Sequence, residues 1–158
     1  MSENLYFRPG VGTVIYNEHG EVLVFKREDL PDVWQFQQGG MEVGETPEDT
    51  LWRELREETG LVDTEFDAVL PYPDWTVYAY SPDVLDRMDW KNCLGQVHRW
   101  FYLRLQKDTV VDLSKATQAE FCDSKWLDFA TFLEEASPMK RAIYTDLYTY
   151  FKQQNLLV

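Results

Sequence analysis

Three glutamates, Glu54, Glu57 and Glu58, stand at a spacing that suits metal chemistry. Residues at i, i+3 and i+4 lie on one side of a helix, so these carboxylates crowd together. Each such like-charge pair costs roughly 0.2–0.5 kcal/mol in an isolated helix, and a purely solvated face avoids that cost by mixing signs. Clustered carboxylate oxygens without Cys or His suit a hard cation such as Mg²⁺ or Mn²⁺. An acidic surface helix is the simpler alternative for the glutamates alone.

The residues around the glutamates predict a helix from about Pro47 to Thr59. Thr46 is a preferred N-cap residue, and a proline followed by acidic residues suits the first helical turn. Gly60 is a typical C-terminal stop. An apolar stripe, made of Leu51, Leu55 and Val62, runs beside the acids. The helix therefore places its carboxylates next to the core.

A glycine-rich turn beginning at Gly39 precedes this helix. Glu45 can fold back from the turn toward the glutamates. Arg53 stands one helical turn before Glu57 and can orient that carboxylate through a salt bridge. These fixed offsets favour a metal site over a solvated acidic face.

The offsets resemble the signature of the Nudix hydrolases. The pattern begins at Gly39 and reaches Glu45 after five intervening residues. After seven further residues it continues as Arg-Glu-Leu-x-Glu-Glu-x-Gly-Leu, from Arg53 to Leu61. Every specified position is filled, and a pattern that fixes so many positions is far more specific than a lone glycine motif. The resemblance implies an α/β fold, namely a Nudix-type α/β/α sandwich with a mixed β-sheet. It also implies that water and a divalent metal cleave a nucleoside diphosphate linked to another group.

Length and composition limit the other classes of protein. The 158 residues predict one domain, residues 1–158, with a sizeable core. A net charge of −13 argues against gripping nucleic acid by bulk electrostatics, so metal and a few placed cations must hold any polyphosphate. Cys93 and Cys122 form no Cys-x-x-Cys pair, and we expect reduced thiols in a cytoplasmic protein. No apolar run approaches membrane-spanning length. We expect neither DNA nor a membrane as partner. The sequence does not decide between a monomer and a homodimer.

Alternating apolar residues and turn residues predict the remaining elements. The predicted strands are 11–16, 22–25, 34–38, 65–70, 75–80 and 96–105. His19, in the turn at 17–20, is expected to have no chemical role. The segment 81–95 is expected to be irregular. A short helix over 129–136 and a terminal helix starting at Ser137-Pro138 follow. The stripe of that last helix, Met139, Ile143, Leu147 and Phe151, predicts core packing.

Several aromatic residues have the chemistry to stack on a nucleobase, namely Trp75, Tyr78 and Trp100. For each of them, packing in the core is the favoured interpretation. His98 is expected to be a tolerated strand residue rather than a catalytic base.

Within the Nudix family, the chain resembles the bacterial RNA pyrophosphohydrolases and the related dinucleoside polyphosphate hydrolases over nearly its whole length. The outer motifs are 7–12, 34–40, 94–101, 119–121 and 140–141. Gln37 departs from the proline that relatives usually carry, which alters the turn but removes no ligand. The loop from Glu28 to Val33 is longer than in relatives and lies where the family contacts the first nucleotides. The preference for RNA over dinucleotides is therefore left open.

The resemblance assigns a role to particular residues. Metal ligands would be Glu54, Glu57, Glu58, Glu120 and the backbone carbonyl of Gln38, holding more than one Mg²⁺ ion, with Mn²⁺ able to substitute. Phosphates would meet Arg8, Arg27 and Lys140, and a base would lie near Tyr78 and Met139. Arg53 would orient Glu57, and either Glu54 or Glu57 would be the general base.

Three hypotheses follow for the function. The first is a metal-dependent hydrolase that removes pyrophosphate or phosphate from the 5′ end of RNA in RNA decay, and that also cleaves dinucleoside polyphosphates. The second is a housekeeping hydrolase of small nucleotides. The third is a non-enzymatic binding module, which should have lost Arg53, Glu54, Glu57 or Glu58, yet all four are present.

Overall fold

Seven strands and four α-helices form the regular structure of the described residues. The computed structural model describes residues 4–30, 32–87, 92–118 and 120–156. Within them the strands are β1 (Tyr6–Tyr16), β2 (Val22–Arg27), β3 (Trp34–Gln35), β4 (Gln37–Gly40), β5 (Phe66–Ala79), β6 (Cys93–Leu105) and β7 (Phe121–Leu127). The helices are α1 (Pro47–Thr59), α2 (Pro82–Arg87), α3 (Phe129–Glu135) and α4 (Pro138–Gln153). No helix in the described residues is long and apolar enough to cross a membrane.

The strands form one mixed sheet in the order β3-β2-β1-β6-β5. β1 lies parallel to β6, from Tyr6 opposite Cys93 to Tyr16 opposite Arg104. β4 pairs antiparallel with β1, and β7 pairs antiparallel with β2. The mixed sheet predicted from the resemblance is therefore confirmed.

Side chains of β6 alternate between the two faces of the sheet, as the sequence predicts. Trp100 and Tyr102 pack with α3 and α4, whereas Phe101 and Leu103 pack with α1. Helices thus cover both faces of the sheet, and the predicted α/β/α sandwich is confirmed.

The helix α1 has the predicted bounds and caps. Thr46 Oγ1 accepts a hydrogen bond from the Asp49 amide, and the Asp49 carboxylate accepts one from the Thr46 amide. Gly60 adopts the left-handed conformation at φ 79° and ends the helix. The apolar stripe is wrong at Val62, which is 36% exposed. Because the chain turns at Gly60, Leu61 takes the buried position instead.

Other boundaries differ from those predicted by the sequence. Gly39 and Gly40 belong to β4 because they pair with β1, and the turn lies later, at Gly44 with φ 87°. The two strands predicted over 65–80 form one strand, β5, with a register shift between Pro71 and Trp75.

Three segments with sequence-based predictions lie partly outside the described residues. The segment 81–95 was expected to be irregular, yet it contains α2 and the start of β6, while 88–91 lie outside the described residues. Pro31, in the loop from Glu28 to Val33, and Ala119, beside Glu120, also lie outside the described residues.

Candidate active site

A cleft of about 990 Å³ opens where β1, β4, α1, β6 and α4 meet. Most of the residues predicted for the site line it, namely Arg8, Arg27, Gln38, Glu54, Glu58, Tyr78, Glu120, Met139 and Lys140. Arg53 and Glu57 lie next to this wall, because the Arg53 guanidinium bonds to both Glu54 and Glu57. The fold therefore gathers into one place residues that are up to 132 positions apart, from Arg8 to Lys140.

Arg53 organises the acids at the start of the cleft wall. Its Nε and Nη2 donate to the two carboxylate oxygens of Glu45 at 2.6 and 2.8 Å. Its Nη1 donates to Glu54 Oε1 at 2.9 Å and to Glu57 Oε2 at 3.2 Å. Its Nη2 also bonds the Gly40 carbonyl at 2.9 Å. The predicted return of Glu45 and the predicted salt bridge to Glu57 are both confirmed.

This guanidinium keeps Glu45 charged. The hydrogen bond from Arg53 lowers the pKa of Glu45 to about 2, and the Glu42 amide adds to the effect at 2.7 Å. The carboxylates in turn raise the pKa of Arg53. Glu45 and Arg53 are therefore fixed as an ion pair across the neutral pH range.

Glu58 lies in a different environment from Glu45 and is only 4% exposed. Gln37 Nε2 donates to Glu58 Oε2 at 2.9 Å, and the Glu120 carboxyl lies within hydrogen-bonding reach. Burial, followed by the hydrogen bond with Glu120, raises the pKa of Glu58 to about 11. Burial also raises the pKa of Glu54, which reaches the Glu58 carboxyl. Glu58 therefore retains its proton at neutral pH.

The acids of the cleft have the chemistry of ligands for a divalent metal ion. The described residues contain no three His, Cys, Asp or Glu side chains already arranged to hold one. Yet Glu54 and Glu120 each contact the Glu58 carboxyl, and a hard cation needs such oxygen ligands. A side chain at Gly39 would overlap Glu54, so this glycine leaves room for that carboxyl. The residues fit a hard cation once it replaces the proton of Glu58.

The cations of the cleft belong to β1, β2 and α4. The Arg8 guanidinium lies over Gly40, where any added side chain would overlap it. Arg27 donates two hydrogen bonds to Asp29 at 2.9 and 2.7 Å, which raise the pKa of Arg27. Burial, followed by the nearby charge of Arg27, lowers the pKa of Lys140 to about 8. An anion in the cleft would relieve the repulsion between these two side chains.

An aromatic wall stands beside the cations. Tyr78 is 8% exposed, and its ring lies parallel to His98 and 5.7 Å from Lys140 Nζ. Trp100 is core, as expected, and donates to Thr76 Oγ1 at 2.8 Å. Trp75 is exposed beside Arg99, so the expectation of core packing is wrong there.

Two cleft residues differ from what their sequence pattern indicates. Met139 is 39% exposed and lines the cleft, so the core stripe of α4 holds only from Ile143 onward. His98 is buried in the cleft wall, and burial lowers its pKa to about 3, which leaves the ring neutral. Among the described residues its Nδ1 has no hydrogen-bond partner.

Sequence reasoning missed the bonds that Gln37 makes. Its departure from the usual proline was visible, but its contact with Glu58 joins residues 21 positions apart. No local pattern links these two residues, because the contact depends on how α1 packs against β4.

Comparison with known proteins shows clear relatives of this chain. Residues 6–147 match the family model described as the NUDIX domain. An RNA pyrophosphohydrolase of Pseudoalteromonas translucida is 37% identical over 139 residues, which are 87% of this chain and 80% of the relative.

Solved structures give the same architecture. The E. coli dihydroneopterin triphosphate pyrophosphohydrolase aligns with a TM-score of 0.72 at 24% identity, covering 90% of this chain and 97% of the other. A C. elegans Ap4A hydrolase in a binary complex aligns with a TM-score of 0.68 at 16% identity, covering 92% and 98%. At these identities the structural likeness shows the fold.

Proposed function

The chain belongs to the Nudix family of hydrolases, and from that membership we propose that it removes pyrophosphate from the 5′-triphosphate end of RNA, or phosphate from a 5′-diphosphate end. Water is added across a phosphoanhydride bond, and RNA with a 5′-monophosphate is left. The observation that carries the proposal is the single cleft shared by the Glu54–Glu58–Glu120 cluster and the cations Arg8, Arg27 and Lys140. With this substrate, we propose that the enzyme acts in the cytoplasm.

Members of this family generally use divalent metal ions. In this chain Glu54, Glu57, Glu58, Glu120 and the carbonyl of Gln38 would hold them, and we propose more than one Mg²⁺, with Mn²⁺ as a substitute. Such an ion neutralises phosphate charge and makes a bound water more acidic.

The side chains of the protein supply the remaining chemistry. A carboxylate oxygen of Glu54 or Glu57 takes the proton from the attacking water, since Arg53 keeps both carboxylates hydrogen-bonded and oriented. Arg8, Arg27 and Lys140 stabilise negative charge on the phosphoryl oxygens. Tyr78 and Met139 line the cleft and would border the terminal base.

The net charge of the chain favours a second candidate substrate. At −13, the surface outside the cleft repels a long polyanion, whereas a dinucleoside polyphosphate fits within the 990 Å³ of the cleft. This alternative uses the same acids and cations.

Side-by-side turnover distinguishes the substrates. Triphosphorylated RNA, diadenosine tetraphosphate and free nucleoside triphosphates are each assayed with Mg²⁺, and kcat/KM is compared. We expect the highest kcat/KM on RNA. A higher value on diadenosine tetraphosphate would favour the second candidate, and no release of phosphate or pyrophosphate from RNA would overturn the first.

A further inference from the structure

A buried chain of hydrogen bonds connects β1 to the acid cluster through β4. Thr13 Oγ1 donates to Gln37 Oε1 at 2.9 Å, and Gln37 Nε2 donates to Glu58 Oε2 at 2.9 Å. Thr13, Gln37 and Glu58 are 1%, 2% and 4% exposed, so water does not compete for these bonds. The pairing of β1 with β4 places Thr13 directly opposite Gln37.

Once ionised, the Glu58 carboxylate can only accept and sets the orientation of the Gln37 amide, and the Thr13 hydroxyl holds the amide by donating to its oxygen. With the amide oxygen accepting from Thr13, the NH₂ group must point at Glu58. The reverse orientation would place the amide oxygen against a carboxylate oxygen, which is repulsive once Glu58 is ionised. The chain of bonds is therefore directional.

The amide acts on Glu58 differently from the way Arg53 acts on its acids. Arg53 is a cation and neutralises the carboxylates that it holds, whereas an amide donates a hydrogen bond and leaves the carboxylate charge available. Gln37 occupies one site on Oε2 and leaves the other lone pairs of Glu58 for a cation. Groups that orient metal ligands in this way typically change metal affinity by about 10–100-fold when removed.

We propose that Gln37, held by Thr13, is a positioning residue that orients the Glu58 carboxylate for a divalent metal ion. The inference rests on the proposed function, because Glu58 is a ligand only in that proposal. It makes Gln37 a working part of the site rather than a change confined to the turn.

The test is Mn²⁺ binding to the folded, substrate-free protein, measured by isothermal titration calorimetry. Gln37→Met keeps an unbranched side chain of similar length and removes the donor. We expect Mn²⁺ affinity to fall about tenfold in Gln37→Met and less in Thr13→Val, which loosens the amide. Hydrolysis should recover to the wild-type kcat at saturating Mn²⁺, because Gln37 orients a ligand and is not itself the reacting group.

Matched controls separate positioning from general packing. Gln106→Met makes the same change at an exposed glutamine that bonds the Thr64 carbonyl and lies outside the cleft lining, and it should leave Mn²⁺ affinity unchanged. In a Glu58→Gln background, adding Gln37→Met should weaken Mn²⁺ no further. If Gln37→Met does not fold, the double variant Thr13→Val/Gln37→Met, which leaves no unpaired hydroxyl at position 13, takes its place.

The outcomes separate this inference from the proposed function. A folded Gln37→Met protein with wild-type Mn²⁺ affinity overturns the positioning role, even if its thermal stability falls. An equal loss of affinity with and without Glu58→Gln also overturns it, because Gln37 would then act elsewhere. Failure of the wild-type protein to bind Mn²⁺ or to hydrolyse RNA instead overturns the proposed function.

Discussion

The two sides of α1 stabilise their acids in opposite ways. On one side the Arg53 guanidinium bonds Glu45 and Glu57, and the pKa of Glu45 falls to about 2. On the other side Glu58 is buried against Glu120, and its pKa rises to about 11. An ion pair preserves carboxylate charge, whereas burial replaces the charge with a proton until a metal cation enters. Glu45 is therefore held ionised by its ion pair, whereas Glu58 would exchange its proton for a metal cation in the proposed function.

The largest effect is expected from Glu57→Gln on the Arg53 side. Hydrolysis should fall roughly 10²–10⁴-fold, because a carboxylate that serves as base or ligand is lost. Stability without metal should hold or rise slightly, since one charge leaves a like-charge cluster. Turnover and a thermal melt measure both quantities. Glu42→Gln, a change at an exposed acid 3.7 Å from Arg53, is the control. Near wild-type turnover in Glu57→Gln would remove Glu57 from the site.

Removal of the Arg53 guanidinium should leave the carboxylates that it bonds without a cationic partner. Arg53→Met leaves three carboxylates without their donor, and we expect a loss of about 3 kcal/mol in the free energy of unfolding together with a fall in activity. Arg53→Lys should lie between, because an ammonium cannot replace the planar guanidinium. Urea unfolding gives the measurement, and Arg56→Met on the exposed side of α1 is the control. Equal stability of the two Met variants would contradict the ion-pair account.

The protonated state of Glu58 predicts a pH dependence. The folded pKa of Glu58 lies above its unfolded value, so protonation of Glu58 does not reduce stability below about pH 4.5. Above that pH the folded protein keeps a proton that the unfolded chain releases, so the metal-free protein loses stability as pH rises toward 11. The slope is at most about 1.4 kcal/mol per pH unit for one proton. In thermal melts, the melting temperature of Glu58→Gln should fall less between pH 6 and pH 8 than that of the wild type.

Addition of metal provides the other half of this test. Mg²⁺ at a hundredfold excess over Kd should add roughly 2.7 kcal/mol to the wild-type protein, and less to Glu58→Gln. The same pH slope in both proteins, together with no metal shift in either, would show that Glu58 is not the titrating ligand.

Lys140 is the cationic counterpart of Glu58. Its pKa falls to about 8, because burial and the Arg27 charge both disfavour the ammonium. The lysine charge is present below about pH 8 and is lost above it, so kcat/KM should decline on the alkaline side. Lys140→Ala should lower kcat/KM about tenfold, or up to about a hundredfold, through loss of a charge-assisted contact.

Lys140→Arg provides the control for the alkaline decline, or alkaline limb, of kcat/KM. Arginine stays charged, so this variant should keep activity above pH 8 while the wild type loses it. The stability of the wild type should rise between about pH 8 and 10.5, since the unfolded lysine is still charged there while the folded one is neutral. An unchanged alkaline limb in Lys140→Arg would assign the titration to another group.

Local signals in the sequence were enough to predict α1 and the acids on it. These signals are a cap, a proline, a left-handed glycine and the i+4 spacing of Arg53 and Glu57. Each acts within a few residues of chain, so it can be recognised without any tertiary contact. The alternation of β6 likewise predicted both faces of the sheet, because the side-chain period of a strand is intrinsic to its backbone.

Tertiary structure alone decided which acid is buried and what accompanies it. Glu57 and Glu58 are adjacent and chemically identical, yet only the docking of α1 on the sheet buries Glu58 and leaves Glu57 with Arg53. Strand register brings Gln37 and Glu120 to the Glu58 carboxyl across 21 and 62 positions of chain. Such contacts depend on the packing of whole elements, and periodicity and capping carry no information about them.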